Sequence, residues 1–305
     1  MAKSGVCILG IFAADTAYHA KRMPHVAETI MGSNFALGPG GKGSNQAVAA
    51  AKAGADVTFI SKIGKDPFGE LAERTLHDAG VQTRLTVMAD QPTGAAFIFV
   101  NEDTGDNAII VVAGAAGTLC EADVETQRAA IEQSAVFVTQ LEQPMDAALL
   151  GLQIASAAGV TTVFNPAPAK AFPDSFYAVC DYIAPNEVEA AAIVGFPINS
   201  DEDARKAGDV LLAKGAKSVL MTLGSRGVLY HTATQSERIP ARAFGKVIDT
   251  TGAGDAFLGG FASALSRGIS PLEAAKFGCV TAGIAVTRRG TAGAMPLLHE
   301  IEAHL

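Results

Sequence analysis

Features that mark several classes of protein are scarce in this 305-residue chain. There is no dense run of lysine or arginine, and the formal net charge is −8. Because nucleic acids and anionic membranes are bound through basic patches, the sequence predicts neither as a partner. Internal repeats and low-complexity segments are also lacking. A content of 49% hydrophobic and 18% charged residues is typical of a globular core.

Metal and disulfide patterns are missing as well. The six histidines form no ligand spacing, and the four cysteines form no C-x-x-C pair; they are Cys7, Cys120, Cys180 and Cys279. We therefore expect buried, reduced thiols in a cytoplasmic protein. The N-terminal apolar stretch VCILGIFAA is too short to span a membrane and lacks the layout of a signal peptide. We interpret it as the first strand.

Apolar, β-rich runs alternate with alanine-rich helical patterns along most of the chain. Examples are VTFISKIG before PFGELAERTLHDAG, AVFVTQLE before PMDAALLGLQIASAAG, and YIAPN before EVEAAAIVG. Strands that are apolar throughout indicate a mostly parallel sheet that helices cover on both faces. Such sheets bind ligands beyond the carboxyl ends of their strands. The sequence therefore predicts an α/β fold with its site at that edge.

Two segments, residues 12–38 and 92–113, break this alternation. The second contains TGAAFIFVNEDTGDNAIIVV, which predicts a hairpin that turns at residues 103–107. Its polar alternation is weak, so we expect one face of this second sheet to be covered. A single domain over residues 1–305, with a small β-sheet lid above the ligand edge, accounts for both segments.

The stretch VIDTTGAGDAF, residues 247–257, lies between a β-branched strand pattern and an apolar helix pattern. A turn from strand to helix accounts for glycine and for one capping acid. It does not account for two carboxylates, Asp249 and Asp255, around a glycine pair. Backbone N–H groups left bare at a helix start can instead hold an anion, with support from the helix dipole. These residues alone leave both interpretations open.

A second glycine cluster, GPGGKGSNQAVAAAKAGA, contains G-x-G-x-x-G at Gly38, Gly40 and Gly43. A dinucleotide-binding dehydrogenase is not supported, because the next strand ends without the acidic residue that binds the ribose. A P-loop is excluded because Gly43 follows Lys42 where serine or threonine would hold magnesium. What remains is a glycine turn that brings Lys42 and Asn45 close to a small polar ligand.

Together the two turns resemble the two signature regions of the PfkB/ribokinase family of sugar kinases. GGKGSNQA lies near residue 40 and DTTGAGDAF near residue 250. NPAPAK, PNEVE, TLGSRGV and AVTRRGT extend the resemblance over nearly the whole chain. It implies a ribokinase-like α/β fold, with helices around a mostly parallel sheet and a small β lid. It also implies an ATP-dependent kinase that uses Mg²⁺ and, at a separate site, K⁺.

The resemblance assigns roles to both turns. Asp255 matches the general base that accepts the proton of the sugar hydroxyl. The backbone N–H groups of Gly252, Ala253 and Gly254 match the anion hole for the transferred phosphoryl group. The sugar-site positions are matched by Asp15, at the end of the first strand, and by Ala13, Gly41, Lys42, Gly43, Asn45 and Glu142.

Nucleotide and cation positions are matched elsewhere in the chain. Asn186 and Glu189 fit an N-x-x-E motif whose acid acts on Mg²⁺ through waters, and Glu189 can equally be an ordinary acid of a first helical turn. The nucleotide positions are matched by Asn186, Thr222, Gly224, Ser225, Gly227, Gly254 and Cys279. The positions of the K⁺ site are matched by Asp249, Thr251, Ala285, Arg288, Gly290 and Ala294.

Two departures from the family pattern bear on specificity. Ribose kinases usually read G-x-x-N-x-D where this chain has Ala13 in place of the asparagine, and related 2-deoxyribose kinases also carry an apolar residue there. Ala294 replaces a frequent serine and removes a side-chain ligand of the cation. The resemblance predicts transfer to the 5-hydroxyl of ribose or 2-deoxyribose. A nucleoside, another sugar, and a catalytically silent sugar-binding module remain alternatives.

The lid also predicts how copies of the chain associate. Short strands with exposed edges need to be paired or covered. We therefore expect a homodimer that forms through the lid.

Overall fold

The computed structural model describes residues 3–305. The described residues form thirteen strands: β1 (Val6–Leu9), β2 (Ala13–Ala20), β3 (Asn34–Gly40), β4 (Val57–Gly64), β5 (Gln82–Met88), β6 (Thr93–Asn101), β7 (Asn107–Gly114), β8 (Val136–Thr139), β9 (Thr161–Phe164), β10 (Tyr182–Ile183), β11 (Ser218–Thr222), β12 (Val228–Thr232) and β13 (Ser236–Ile239). They also form eleven α-helices: α1 (Lys42–Lys52), α2 (Pro67–Asp78), α3 (Glu121–Thr126), α4 (Arg128–Gln133), α5 (Met145–Ala157), α6 (Ser175–Ala178), α7 (Glu187–Val194), α8 (Asp201–Ala213), α9 (Ala253–Ser266), α10 (Pro271–Ala285) and α11 (Leu298–Glu302).

The larger sheet has nine strands in the order β13-β12-β11-β10-β9-β8-β1-β4-β5. The seven strands from β11 to β5 in that order are parallel, and β12 and β13 extend one edge antiparallel. Successive side chains of β1 are buried on opposite faces of the sheet. Val6 and Ile8 pack in the core formed with α1, α9 and α10. Cys7 and Leu9 pack in the core formed with α5 and α8. Burial on both faces explains the apolar strands and confirms the predicted fold class.

The smaller sheet is the lid, with strand order β3-β2-β6-β7. Strands β6 and β7 form the predicted hairpin, although its connection, residues 102–106, lies one residue earlier than expected. Because β2 pairs with both β3 and β6, the two segments that break the alternation do form one sheet. Asp15 lies within β2, not at the end of the first strand as predicted. The chain leaves the larger sheet after Leu9 and enters the lid at Ala13.

The lid is more exposed than the sequence predicts. Ile109, Ile110, Val111 and Val112 of β7 are consecutive, so they point to both faces of the strand, and each is at least 50% exposed. The prediction of one covered face is therefore wrong for β7.

The strand expected before α9 is also absent, since residues 240–252 contain no strand. Val247 and Ile248 are about half exposed. The N–H groups of Ile248 and Asp249 both donate to the carbonyl oxygen of Val286, just after α10. The β-branched pair is therefore anchored to the end of a helix, and the turn that carries Asp249 is held there with it.

The cysteines are free, but they are not all buried as predicted. Cys7 and Cys180 are buried, Cys279 is half-buried and Cys120 is exposed. In the part of the chain that the structure describes, no helix combines the length and the hydrophobicity that crossing a bilayer requires.

Candidate active site

Asp255 is the centre of the site. It lies in the first turn of α9, is 7% exposed, and contacts the first turn of α1. The Asn45 side-chain amide donates to Oδ2 of its carboxylate at 3.1 Å, and the Gln46 amide donates to Oδ1 at 2.9 Å. The two glycine turns, about two-thirds of the chain apart, therefore meet at one carboxylate.

The glycines of the first turn serve backbone packing. A Cβ on Gly43 would lie 2.8 Å from the Cα atom of Gly10, so α1 begins in direct contact with the residue after β1. Gly41 has a φ of 89°, and its Cβ would lie 2.7 Å from the carbonyl oxygen of Ile11. This close approach brings the first turn of α1 to the carboxyl edge of the sheet.

The glycines of the second turn are there for different reasons. Gly252 caps α9 in the left-handed conformation, with a φ of 73° that a side chain would strain. A Cβ on Gly254 would meet no atom of residues 3–305 within 4 Å. Packing therefore does not require glycine at position 254. The space it leaves open lies at a helix N-terminus, where an anion is stabilised.

The charges at the site are strongly coupled. Burial raises the pKa of Asp255, while the charge of Lys42 and the two amide donors act in the opposite direction. Burial alone would lower the pKa of Lys42, but the surrounding carboxylates outweigh it, and the pKa is raised. Those carboxylates belong to Asp255, Glu142 and Glu189. Lys42 is therefore a protonated cation whose charge several acids share.

Asp15 and Glu142 are unusually weak acids. Burial, followed by the charge of Asp255, raises the pKa of Asp15 to about 6. Burial raises the pKa of Glu142 to about 7, against the charge of Lys42 and a 2.8 Å hydrogen bond from the Lys42 N–H to Oε2. Any side chain at Gly40 would collide with the Asp15 carboxylate, so the glycine makes room for that acid. The two acids offer acceptor oxygens to hydroxyl groups beside Asp255.

Asn45 has an unsatisfied acceptor at the same place. Its Nδ2 group donates to Asp255, and its Oδ1 atom is buried without a hydrogen-bond partner within residues 3–305. A buried polar atom of this kind costs free energy unless a ligand or water supplies a donor. Within the site, the atom is available to accept a hydrogen bond from a ligand hydroxyl group or from water.

The N-x-x-E segment forms a capping box at the start of α7. Asn186 Oδ1 accepts from the Glu189 N–H, and Glu189 Oε2 accepts from the Asn186 N–H, both at 2.8 Å. Burial raises the pKa of Glu189 in spite of this hydrogen bond, and its charge interacts with those of Lys42 and Asp255. Glu189 therefore has the structural role of a first-turn acid while remaining electrostatically part of the site.

The end of β11 brings the predicted nucleotide loop to the same edge. Thr222 forms an isolated parallel bridge with Asn186, next to the capping box. Gly224 and Gly227 flank the turn that contains Ser225 and have φ values of 54° and 97°. These left-handed conformations suit glycine and fix the path of the loop.

The predicted K⁺ positions are organised by Asp249. Its carboxylate accepts from the Thr251 N–H at 2.9 Å and from the Gly290 N–H at 3.0 Å. These bonds tie the turn before α9 to the loop after α10. The Arg288 guanidinium instead forms an ion pair with Glu300.

Side chains offer little to a cation at this loop. Ala285 ends α10, and Ala294 is buried with only a methyl group. Residues 3–305 contain no group of three histidine, cysteine, aspartate or glutamate side chains that could hold a metal ion. A monovalent cation here would therefore depend on backbone carbonyl groups.

Cys279 lies apart from the Asp255 cluster. It lines a cleft of about 430 Å³ whose walls include Ile239, Phe277 and His304. Burial raises the pKa of the Cys279 thiol to about 12, so the group is neutral. The residues around Asp255 do not line this cleft.

Three buried amides of the site are missing from the sequence-based assignment: Gln46, Gln140 and Asn165. Gln46 accepts from the Gln140 amide at 2.6 Å and donates to Asn165 Oδ1 at 3.3 Å. Gln140 directly follows β8, and Asn165 directly follows β9. A polar residue directly after a buried parallel strand was the signal that could have identified both.

Comparison with known proteins defines the class. The model of the pfkB family of carbohydrate kinases matches residues 3–298. With a mostly parallel sheet, a β lid and a buried carboxylate at a helix start, the chain is an ATP-dependent carbohydrate kinase. It belongs to the PfkB family.

Similar proteins cover nearly the whole chain. A ribokinase of Haemophilus influenzae is 38% identical over 96% of this chain and 95% of its own length. A deoxyribokinase of Salmonella typhi is 32% identical over 98% of each. The structure of Arabidopsis thaliana ribokinase, complexed with ribose and ATP, superposes with a TM-score of 0.91 at 28% identity and covers 99% of this chain and 98% of its own.

Proposed function

We propose that the chain transfers the γ-phosphoryl group of ATP to the 5-hydroxyl of a pentose, ribose or 2-deoxyribose. The observation that supports this most is the buried Asp255 carboxylate beside the open space at Gly254. Similarity to ribokinases and to a deoxyribokinase supports the choice of a pentose.

In this mechanism Asp255 is the general base. It accepts the proton of the attacking hydroxyl, while the N–H groups of Gly252 and Gly254 stabilise charge that develops on the phosphoryl group. The Ala253 N–H, which the sequence also predicts as part of the anion hole, instead donates to the Thr250 carbonyl oxygen at 3.2 Å. Asp15, Lys42, Asn45 and Glu142 orient the sugar, and the unsatisfied Asn45 Oδ1 accepts from one of its hydroxyls. The hydroxyl then lies in line with the phosphate, which is most of what phosphoryl transfer demands.

Mg²⁺ fits this site through Glu189. The acid is buried and already affected by the charges of Lys42 and Asp255, and Mg²⁺ commonly uses one or two carboxylates with waters and substrate phosphates. When bound, the ion neutralises charge on the transferred group. The loop at Thr222 to Gly227 would hold the nucleotide, with Asn186 beside this loop. Cys279 would lie near the adenine ring.

An ADP-release assay over a panel of sugars and nucleosides tests the proposal. We expect ATP-dependent turnover with ribose or 2-deoxyribose that exceeds turnover with hexoses and nucleosides. Turnover with a nucleoside alone would replace the substrate assignment. No turnover with any member would favour a silent sugar-binding module, which calorimetry with the same panel would reveal.

We further propose that K⁺ raises the activity. The Asp249 carboxylate links the turn before α9 to the loop after α10, so a cation on nearby carbonyl groups would stiffen the anion hole. Replacing a large organic cation with K⁺ at constant ionic strength is expected to increase kcat/KM. Equal rates in the two salts would contradict the proposal.

We propose that Ala13 shifts selection at the 2-position of the sugar. Its side chain lies on the same face of β2 as that of Asp15, and it is 2% exposed. A polar group that binds a hydroxyl is left unpaired by the deoxy analogue, whereas a methyl wall imposes no such penalty. The ratio of kcat/KM for ribose to kcat/KM for 2-deoxyribose should therefore be lower in the natural protein than in Ala13→Asn. The expected difference is about 1–2 kcal/mol, or roughly tenfold.

Ala13→Val is the matched control, because valine adds comparable volume without hydrogen-bonding groups. We expect Ala13→Asn, but not Ala13→Val, to raise the ratio for ribose over 2-deoxyribose. An unchanged ratio in Ala13→Asn would show that this wall does not face the 2-hydroxyl.

We propose that two copies pair through their lids. Strands β3 and β7 are the edges of the lid, and β7 exposes four consecutive apolar residues. Unpaired apolar edges of this kind favour association. Light scattering should show a dimer at micromolar concentration and a monomer for Ile110→Glu. A natural protein that is monomeric under these conditions would rule the dimer out.

A further inference from the structure

We propose that Gln46 is a positioning residue for the Asp255 carboxylate and that Gln140 fixes the orientation of Gln46. This inference rests on the proposed role of Asp255 as general base. It adds two residues that bind neither sugar nor nucleotide in that proposal, and they act through hydrogen bonds inside the core.

The chain of contacts is continuous and buried. Gln46 and Gln140 are both fully buried. Gln46 Nε2 donates to Asp255 Oδ1 at 2.9 Å, and Gln46 Oε1 accepts from Gln140 Nε2 at 2.6 Å. Gln140 in turn lies against Gly10, where a Cβ would be 2.4 Å from its Oε1 atom. Glycine at position 10 thus leaves the space that the Gln140 side chain occupies, and the hydrogen bond from Gln140 holds Gln46.

The direction of these hydrogen bonds follows from the charge of Asp255. An ionised carboxylate accepts only, so Gln46 must present its NH₂ group to it. The Gln46 carbonyl oxygen then points away and requires a donor, which the Gln140 NH₂ group supplies. Gln140 Oε1 is left buried without a partner within the described residues. The hydrogen bond from Gln46 to Asp255 is therefore accompanied by one unsatisfied acceptor, Gln140 Oε1, at the other end of the network.

Two consequences for catalysis follow. A hydrogen bond to the charged form favours ionisation of a carboxylate. The hydrogen bond from Gln46 therefore offsets part of the rise in the pKa of Asp255 that burial causes. The bond also fixes the rotation of the carboxylate, which sets the direction in which its remaining lone pairs face the hydroxyl. The other charged groups around Asp255 are Lys42 on α1, Asp15 on β2, Glu142 after β8 and Glu189 on α7.

Gln46→Met is the direct test, because methionine has a similar length and volume and no NH₂ donor. We expect the acid limb of the pH profile of kcat/KM to move upward by about one pH unit, because the carboxylate protonates more readily. We also expect kcat at the pH optimum to fall by about 10–10²-fold from misorientation, while the KM for the sugar changes little.

Gln140 donates to Gln46 and not to Asp255. Gln140→Met should therefore also move the acid limb of the kcat/KM profile upward, but by less than Gln46→Met. If Gln46→Met does not fold, this variant carries the test alone. Combined with Gln46→Met it should add less than its separate effect, because both act on one hydrogen bond.

Gln143→Met is the matched control. Gln143 is an equally buried glutamine that donates to Thr139 Oγ1 and to the Gln140 carbonyl oxygen. This variant should lower Tm and leave the acid limb in place. Should the Gln46 and Gln140 variants also lower Tm without moving the limb, their role is packing and the inference is wrong.

Failure of the proposed function itself would look different. Asp255→Asn would then retain near natural turnover, whatever the glutamine variants do. If Asp255→Asn abolishes turnover while Gln46→Met leaves kcat and the pH profile unchanged, only the role of Gln46 is refuted.

Discussion

Asp255→Asn is expected to lower kcat by about 10²–10⁴-fold, because the amide oxygen cannot take the proton of the attacking hydroxyl. The substitution keeps the size of the side chain. Sugar binding is expected to be largely spared, since the other groups that we propose orient the sugar remain in place. Steady-state kinetics give kcat, and calorimetry with the unreacted sugar gives its Kd.

Asp209→Asn is a suitable control for Asp255→Asn. Asp209 is an exposed acid on α8 that contacts His231, which pairs with Val219 near the amino end of β11. The kcat of the Asp209→Asn variant should match that of the natural protein. Near natural turnover in Asp255→Asn would remove the general-base assignment, and loss of sugar binding together with turnover would make Asp255 a binding group.

Gly254→Ala is expected to reduce kcat/KM by at least about 10²-fold, because the added methyl group would keep the phosphoryl group away from the backbone N–H groups, and loss of one such donor has an effect on this scale. The added methyl group would enter the open space beside the first turn of α9, where we place the transferred phosphoryl group. Alanine in a helix is more favourable than glycine by about 0.5–1 kcal/mol, so Tm should be unchanged or higher. Loss of activity without loss of stability would separate a phosphate site from a packing requirement.

Gly117→Ala is the control for the added methyl group. Gly117 is an exposed residue of the short helical turn at Ala115–Thr118, where an added Cβ would meet only the Ala113 methyl group, at 3.3 Å. The Gly117→Ala variant should retain the activity of the natural protein. Full activity in Gly254→Ala would mean that phosphate does not approach this part of the backbone.

Local chemistry explains what the sequence predicted well. Apolar strands gave the parallel sheet because both faces of strands such as β1 are buried. The glycines beside Asp255, taken with the family resemblance, predict an anion-binding helix start, and this stays a prediction that Gly254→Ala tests. The open space at Gly254 agrees with this reasoning, whereas Gly43 has a packing role against Gly10.

What sequence reasoning missed depends on long-range contacts. Val247 and Ile248 have the β-branched pattern of a strand, but the backbone there bonds to the end of α10. Gln46 is one residue after Asn45 and looks like an ordinary helical residue. The role that we propose for it depends on a hydrogen bond to a carboxylate 209 residues away. The lid edge looked covered because its residues are apolar, yet nothing in the described chain covers β7.

The position of the phosphate in the product shows which hydroxyl group of the sugar accepts the phosphoryl group. The natural protein is incubated with ATP, Mg²⁺ and ribose or 2-deoxyribose, and the product is examined by ³¹P NMR with coupling to the sugar protons. We expect one new phosphomonoester signal, coupled to the two protons on carbon 5, in amounts equal to the ADP formed. A phosphate coupled to the proton on carbon 1, or ADP formed without any sugar phosphate, would contradict this expectation.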